Sequence, residues 1–479
     1  MRHVWFAGVG LSTILSCSTA LAQKYDGSGS PTFIPHTLQE ALSSAYLTNP
    51  TLLQERATLR ATDEQVPTAL AGWHPKITGT FAPSYYKGEN NYYGSADGGG
   101  GGYSRKYNTF GYSSMATVQQ PIWTGGKTTA STHQAVNRVM AERAHLISVE
   151  QQVFSDVVSA YVNVVQDEQL LAIGINNQHV LEQQFKATKI RFRDGELTRT
   201  DVAQAETSLA SAIASRRQAE GNLQAAQATY MQVVGIAPPP NLEPPQPLQL
   251  PVNSETEAVH MAVDNNPDVI AALFAEASQK DAVAVAMAAL MPSITANLAY
   301  SHAKNQQLNN QLNENKYATL NINVPIYQGG SEYAEVRQAK QQTQAAHRAV
   351  DVQRRSAAQA AASNWKKLLS YKAAISSDRI AIKAGYIALD GVQRQAIVGT
   401  SSTLEVLQQQ STLLSAQTAL VQDLGNMVTT SYGVASAIGR LTARDLHLRV
   451  PLYDEKAYYN AVKDRLWGIN DYATNEPGR

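Results

Sequence analysis

The residues best placed to do chemistry lie in two short, matched segments. In the first, Asp194-Gly195 is followed by Thr198-Arg199-Thr200-Asp201; in the second, Val398-Gly399 is followed by Ser402-Thr403-Leu404-Glu405. Glycine supplies the positive φ that ends a helix, and the T-x-x-D and S-x-x-E runs are capping boxes that start the next one. The chemistry on offer is that of a carboxylate fixed at a helix start. Other reactive constellations are not expected. His74, His133 and His145 have no acidic partners at metal-ligand spacing. No nucleophile motif stands out, and the glycine run at residues 98–102 does not join a strand to a helix as a phosphate loop would. The reading is therefore not an enzyme, with no cofactor and no metal.

Composition narrows the class further. Lys+Arg and Asp+Glu are both 39, which argues against a nucleic-acid partner. Mean hydropathy is −0.28, and past the N-terminus no apolar run reaches the ~18 residues of a membrane-spanning helix. Residues 1–22 read as an export signal: Arg2 and His3, an apolar stretch over 4–15, then Ala20-Leu21-Ala22 as a cleavage site. A rival sits inside it, because Ile14-Leu15-Ser16-Cys17 approaches a lipoprotein signal, although Leu15 is large for that role. Cys17 is the single cysteine. Cleavage after Ala22 would leave neither disulfides nor thiol chemistry.

The matched segments belong to a larger duplication. Glu40-Ala41, Asn49-Pro50 and Pro75 recur as Glu257-Ala258, Asn266-Pro267 and Pro292 at one constant spacing. Pro121-Ile122-Trp123-Thr124-Gly125-Gly126 recurs as Pro325-Ile326-Tyr327-Gln328-Gly329-Gly330 at a second, shorter spacing. That spacing then holds for Gly195 and Gly399, Asp201 and Glu405, Gly235 and Gly439. The difference falls between Pro75 and Pro121, where residues 92–103 form a Gly/Tyr-rich insertion that reads as a longer surface loop. The expected organisation is an N-terminal segment 23–36, a first repeat 37–236, a linker 237–253, a second repeat 254–440 and a tail 441–479.

Each repeat changes period. Ile77, Gly79, Phe81, Pro83 and Tyr85 alternate with Thr78, Thr80, Ala82 and Ser84; Phe110, Tyr112, Ala116 and Val118 alternate with Gly111, Ser113, Met115 and Thr117. Ile294, Ala296, Leu298 and Tyr300, then Ala318, Leu320, Ile322 and Val324, do the same in the second repeat. These are four strands of about ten residues, a bilayer-spanning length when tilted, with one apolar and one uncharged polar face. Tyr85, Tyr86, Tyr107, Tyr300 and Tyr317 near the strand ends are expected as interfacial aromatics. Residues 127–193 and 331–397 are proline-free and would make helices ~100 Å long. The remaining helical pieces, 38–72, 201–234, 255–290 and 403–438, are about half as long, so two end to end would match one rod. The matched turns then share one end of the rods, opposite the strands. Four strands cannot close a barrel and lipid does not tolerate an open edge, so further copies must complete it: two would give eight strands, three twelve.

The paired Asn-Pro helices, Pro-Ile-x-x-Gly-Gly turns and Gly-tipped hairpins with a following acidic residue resemble the TolC family of outer-membrane channel proteins, over about residues 38–440. The resemblance implies a homotrimer in outer-membrane lipid, a combined β-barrel and α-helical tunnel reaching through the periplasm, and an equatorial part built from 237–253 and the tail. Its partners would be a periplasmic adaptor and an inner-membrane pump of the ABC or RND type, and its cargo drugs or type I secreted polypeptides. The family's gate pairs a Thr-Asp, here Thr200-Asp201, with a Tyr and an Arg. Those two fall on Ala396 and Ser401, so the usual lock cannot form. Of two acidic rings, one falls on Glu405 and the other on Gln408, which is uncharged. Gly195, Leu197, Gly399 and Leu404 match the tips that meet the adaptor. The competing class is a trimeric coiled-coil structural protein or a periplasmic adaptor; an adaptor would carry one central hairpin rather than two copies of strand, helix and strand.

Overall fold

The computed structural model describes residues 34–92, 103–306 and 310–469. The expected export signal with Cys17, and the insertion between Tyr92 and Tyr103, lie outside them. The first repeat runs α1 (Leu38–Thr48), α2 (Pro50–Asp63), α3 (Gln65–Leu70), a 3₁₀ turn (Ala71–Trp73), β1 (Lys76–Tyr92), β2 (Tyr103–Trp123), α4 (Lys127–Arg193) and α5 (Arg199–Val234). The second runs α6 (Glu255–Asn265), α7 (Pro267–Ala288), β3 (Ser293–Lys304), β4 (Leu312–Asn323), α8 (Ser331–Ile397) and α9 (Thr403–Ala437); α10 (Ala457–Val462) follows.

α4 and α8 are single helices of 67 residues each. The pieces expected as continuous helices over 38–72 and 255–290 are instead broken at Asn49 and Asn266. Pro50 and Pro267 have no N–H to continue a helix, and each Asn takes an extended conformation, with ψ of 122° and 128°. The breaks have a use. Asn49 Oδ1 accepts from the N–H of Thr51 at 2.9 Å, while its Nδ2 donates to the carbonyl of Val233 at 3.0 Å. Asn266 likewise accepts from Asp268 N at 3.0 Å and donates to the Ala437 carbonyl at 3.1 Å. One amide thus satisfies an orphan donor of a starting helix and an orphan acceptor of an ending one. α5 is continued by α2, and α9 by α7, as stacked rods beside α4 and α8. Gly439 closes the second junction at φ +76°, where a Cβ would lie 2.3 Å from the Asn265 carbonyl oxygen.

Two larger cores and three smaller clusters hold the rods among the described residues. Leu42, Leu52, Leu59, Phe154, Val157, Tyr161, Tyr230 and Leu441 are buried together where α1, α2, α4 and α5 meet the chain after α9. The Tyr161 hydroxyl lies 2.8 Å from the carbonyls of both His36 and Glu243, pinning two irregular segments to α4. The second core is smaller in its side chains: Ala258, Ala262, Ala357, Ala361, Val434 and Ile438 let α6, α8 and α9 approach closely.

The four strands form one antiparallel sheet in the order β1-β2-β3-β4. Directly paired residues share a face. The pairs Ile77↔Val118, Val118↔Leu298, Ala296↔Leu320 and Ile294↔Ile322 join the apolar residues of all four strands. Thr78↔Thr117, Thr295↔Asn321 and Asn297↔Thr319 join the polar ones. Ile77, Phe81, Phe110, Leu320 and Ile322 are each more than 60% exposed, so one protomer leaves the apolar face uncovered. Two expectations change. β1 and β2 have 17 and 21 residues, well beyond a span of about ten. Tyr85 and Tyr300 share the apolar face, but Tyr86, Tyr107 and Tyr317 fall on the polar one, because the period of two sends neighbours to opposite sides.

Phe81 sits near the middle of the span. Phe81→Arg is expected to block stable assembly, at ~2–4 kcal/mol per protomer near the bilayer midplane, while Thr80→Arg assembles. Heat-labile oligomer bands on gels check this, and equal tolerance of both changes overturns the face assignment. At the helix junctions, Asn49→Ala or Asn266→Ala should each cost ~1–2 kcal/mol in a denaturant titration followed by helical circular dichroism.

Candidate gate at the tips of the helical hairpins

α4 and α5 form one hairpin, α8 and α9 the other. Gly195 and Gly399, at φ +83° and +79°, turn the chain at the tips. The Glu196 N–H closes on the Arg191 carbonyl and the Thr400 N–H on the Gln395 carbonyl, both at 2.9 Å. Both capping boxes form. Asp201 Oδ2 accepts from the Thr198 N–H at 3.0 Å and from its hydroxyl at 2.6 Å. Glu405 Oε2 accepts from the Ser402 N–H at 3.1 Å and from the Ser401 hydroxyl.

These donors set the electrostatics. The Thr198 hydroxyl, then its N–H, and further off the Thr403 hydroxyl hold the Asp201 carboxyl below the ordinary carboxylate value. The Ser401 hydroxyl and the Ser402 N–H do the same for Glu405. Both stay ionised at neutral pH, and the capping bonds they make as carboxylates are lost only as pH falls through those lowered values.

The structure brings several of the singled-out residues together, though not as the familiar lock. Thr200, Ala203, Gln204, Leu404 and Leu407 line a cleft of about 330 Å³ between α5 and α9. The Thr403 hydroxyl, at the start of α9, lies near enough to Asp201 to help hold its carboxyl down. Leu181, Leu209 and Ala212 of the first hairpin pack on Leu407 of the second, and Gln410 Nε2 donates to Asn177 Oδ1 at 3.2 Å. Ala396 takes part through its backbone: Arg191 Nη1 donates to its carbonyl at 3.3 Å, while Arg191 Nε pairs with Glu196 at 2.9 Å. Ser401 is spent on Glu405, and Gln408 is exposed. Gly195 and Gly399 stand exposed at the tips, Leu197 is half-buried and Leu404 is 51% exposed.

Two features escaped the sequence reading. Arg191 fastens one hairpin to the other, and only the register of the two tips reveals it. Ile397 and Val398, 76% and 73% exposed, make the second tip apolar. Their signal was legible: two β-branched residues beside a turn glycine, where turn chemistry favours polar ones.

The arrangement of paired hairpins, stacked half-length rods and a four-stranded sheet can be set beside known proteins. The sequence profile described as outer membrane efflux protein matches residues 41–236 and 258–440. The chain belongs to that family. The outer membrane efflux protein BepC of Brucella suis is 34% identical over 438 residues, covering 91% of this chain and 92% of the relative. The outer membrane protein TolC of Escherichia coli is 23% identical over 429 residues, covering 85% and 83%. The crystal structure of the outer membrane protein VceC from Vibrio cholerae superposes with a TM-score of 0.71 at 18% identity, covering 84% of this chain and 96% of that one, which is a likeness of fold. As a TolC-family efflux channel, the protein resides in the outer membrane with its helical tunnel in the periplasm, and the family is one of transport rather than catalysis.

In this efflux protein the Arg191 link should hold the two tips at one separation. Spin labels at positions 194 and 398 are expected to give a narrow distance distribution. Arg191→Met should broaden it, because the Ala396 carbonyl loses its donor; an unchanged distribution would show that the apolar contacts suffice.

Proposed function

We propose that three copies of this chain form the passive exit duct of a tripartite export machine. Drugs or type I secreted polypeptides would leave through it, energised by an ABC or RND pump in the inner membrane. The observation that carries this reading is the sheet. It has one apolar face, one Thr/Ser/Asn face and two open edges, and it is continuous with hairpins ~100 Å long. Three such sheets close a twelve-stranded barrel with no edge left in lipid. The units doing this are the repeats 37–236 and 254–440, with 237–253 and the tail as an equatorial collar. Electron microscopy of the purified oligomer tests it: a threefold barrel and tunnel is expected, and a monomer or a solid fibre overturns it.

At the inner end, Glu405 forms a threefold ring of carboxylates, with Gln408 adding no second ring. Thr200, Asp201, Ala396 and Ser401 supply the surrounding contacts, and Arg191 takes over the fastening role that Ala396 and Ser401 cannot fill. Gly195, Leu197, Gly399 and Leu404 present the tips to a periplasmic adaptor. Ile397 and Val398 favour an apolar contact there, since covering exposed apolar surface is favourable in proportion to the area removed from water.

Carboxylates converging on a narrow pore repel each other and attract cations. The channel should be cation-selective and blocked by a trivalent cation added from the periplasmic side. Glu405→Gln should remove most of that block with the trimer intact, read as planar-bilayer conductance. An unchanged block would reduce Glu405 to a helix cap.

A further inference from the structure

The outer end of the sheet carries a charge pattern that conduction does not require. Residues on the apolar face continue upward as Lys87 and Glu89 on β1, Lys106 on β2, His302 and Lys304 on β3, and Glu314 and Lys316 on β4. Register fixes this. Tyr85, Lys87 and Glu89 are alternate residues of one strand, Glu89 is paired with Lys106, Tyr112 with Lys304 and Tyr300 with Lys316. Lys87 and Lys304 lie about eleven residues along their strands. At ~3.3 Å per residue and a tilt of ~40°, that is ~28 Å above the strand starts, just past the ~25 Å apolar band. Lys316 lies lower, over the Tyr300 ring at 5.5 Å, and Lys106 higher. The remaining described strand lysine, Lys76, is at the opposite end and on the polar face. On β3 and β4 the lumen face at this level instead offers Ser301, Asn313 and Asn315.

The acidic members compensate one lysine of the belt and leave three without a counter-charge. Glu314 is paired with Lys316 at 3.1 Å, and Glu89 accepts the Ser104 hydroxyl. Among the described residues, Lys87, Lys106 and Lys304 are exposed and make no ion pair. An uncompensated ammonium belt directly above a lipid-facing apolar band lies at the depth of headgroups. It suits phosphate oxygens, which take point charges from any direction.

We propose that the outward lysine belt of Lys87, Lys106 and Lys304 binds the phosphate groups of an anionic lipid in the outer leaflet, fastening the barrel to its bilayer. Aromatic rings level with the belt and just below it, Tyr112 stacked on His302 at 5.7 Å and Tyr300 under Lys316, would lie along the acyl and sugar boundary of that lipid. The inference rests on the outer-membrane trimer proposed above, and the test separates the two.

The trimer, purified in detergent, is heated alone, with a diphosphorylated glycolipid, with the same glycolipid stripped of phosphate, and with phosphatidylcholine. The readout is the temperature at which trimer gives way to monomer on gels. The phosphorylated lipid alone should raise it, by about 5 °C or more at saturation, and high salt should erase the rise. A Lys87→Gln, Lys106→Gln, Lys304→Gln variant should lose most of the rise, while Lys76→Gln keeps it. Should the triple variant fail to assemble, Lys304→Gln alone should lose part of the rise. An equal rise with the dephosphorylated glycolipid, or a full rise in the lysine variants, overturns the proposal. Absence of any trimer in the unaltered protein would instead overturn the functional reading.

Discussion

The architecture depends on one small interaction made twice: an asparagine side chain serving two helix ends at once. Without it, the break forced by Pro50 or Pro267 would leave free N–H groups below and free carbonyls above, inside a packed rod. With it, the negative end of α5 abuts the positive end of α2, and α9 meets α7 in the same way. Two short helices then behave as one and can lie against a partner of 67 residues along most of its length. The hairpin tips, the pore and the sheet owe their relative placement to that match.

A second constraint acts at the other end. The sheet has an apolar face that water rejects and two edges that lipid rejects, so a single protomer is satisfied in neither solvent. Assembly is therefore part of folding here. Coupling runs along the rods, because the Gly-Gly turns at 125–126 and 329–330 lead straight from strand to long helix.

Much of this was legible in the residues. The duplication, the strand alternation, the long proline-free helices and both capping boxes follow from periods and turn chemistry that act over a few residues. The kink at Asn-Pro was visible as a motif. Its purpose was not, since the partners Val233 and Ala437 lie far away in sequence. The same limit explains Arg191: its acceptor is a backbone carbonyl, which every residue has, so no residue type announces it. The side of the sheet that each tyrosine takes is hidden for a simpler reason. Aromatic content suggests depth in a membrane, but parity alone decides the side.

The stacked rods also restrict how this protein can change its length. Adding one residue to α4 turns everything beyond it by about 100° and lengthens it by 1.5 Å. The rod beside it would keep its old phase, and every contact past the insertion would slip. A longer or shorter tunnel must come from insertions placed at the same height in the continuous helix and in its two-piece companion, in both repeats, and in steps that restore the face. The distance from membrane to tip is thus a quantity that drifts in large coordinated jumps or not at all.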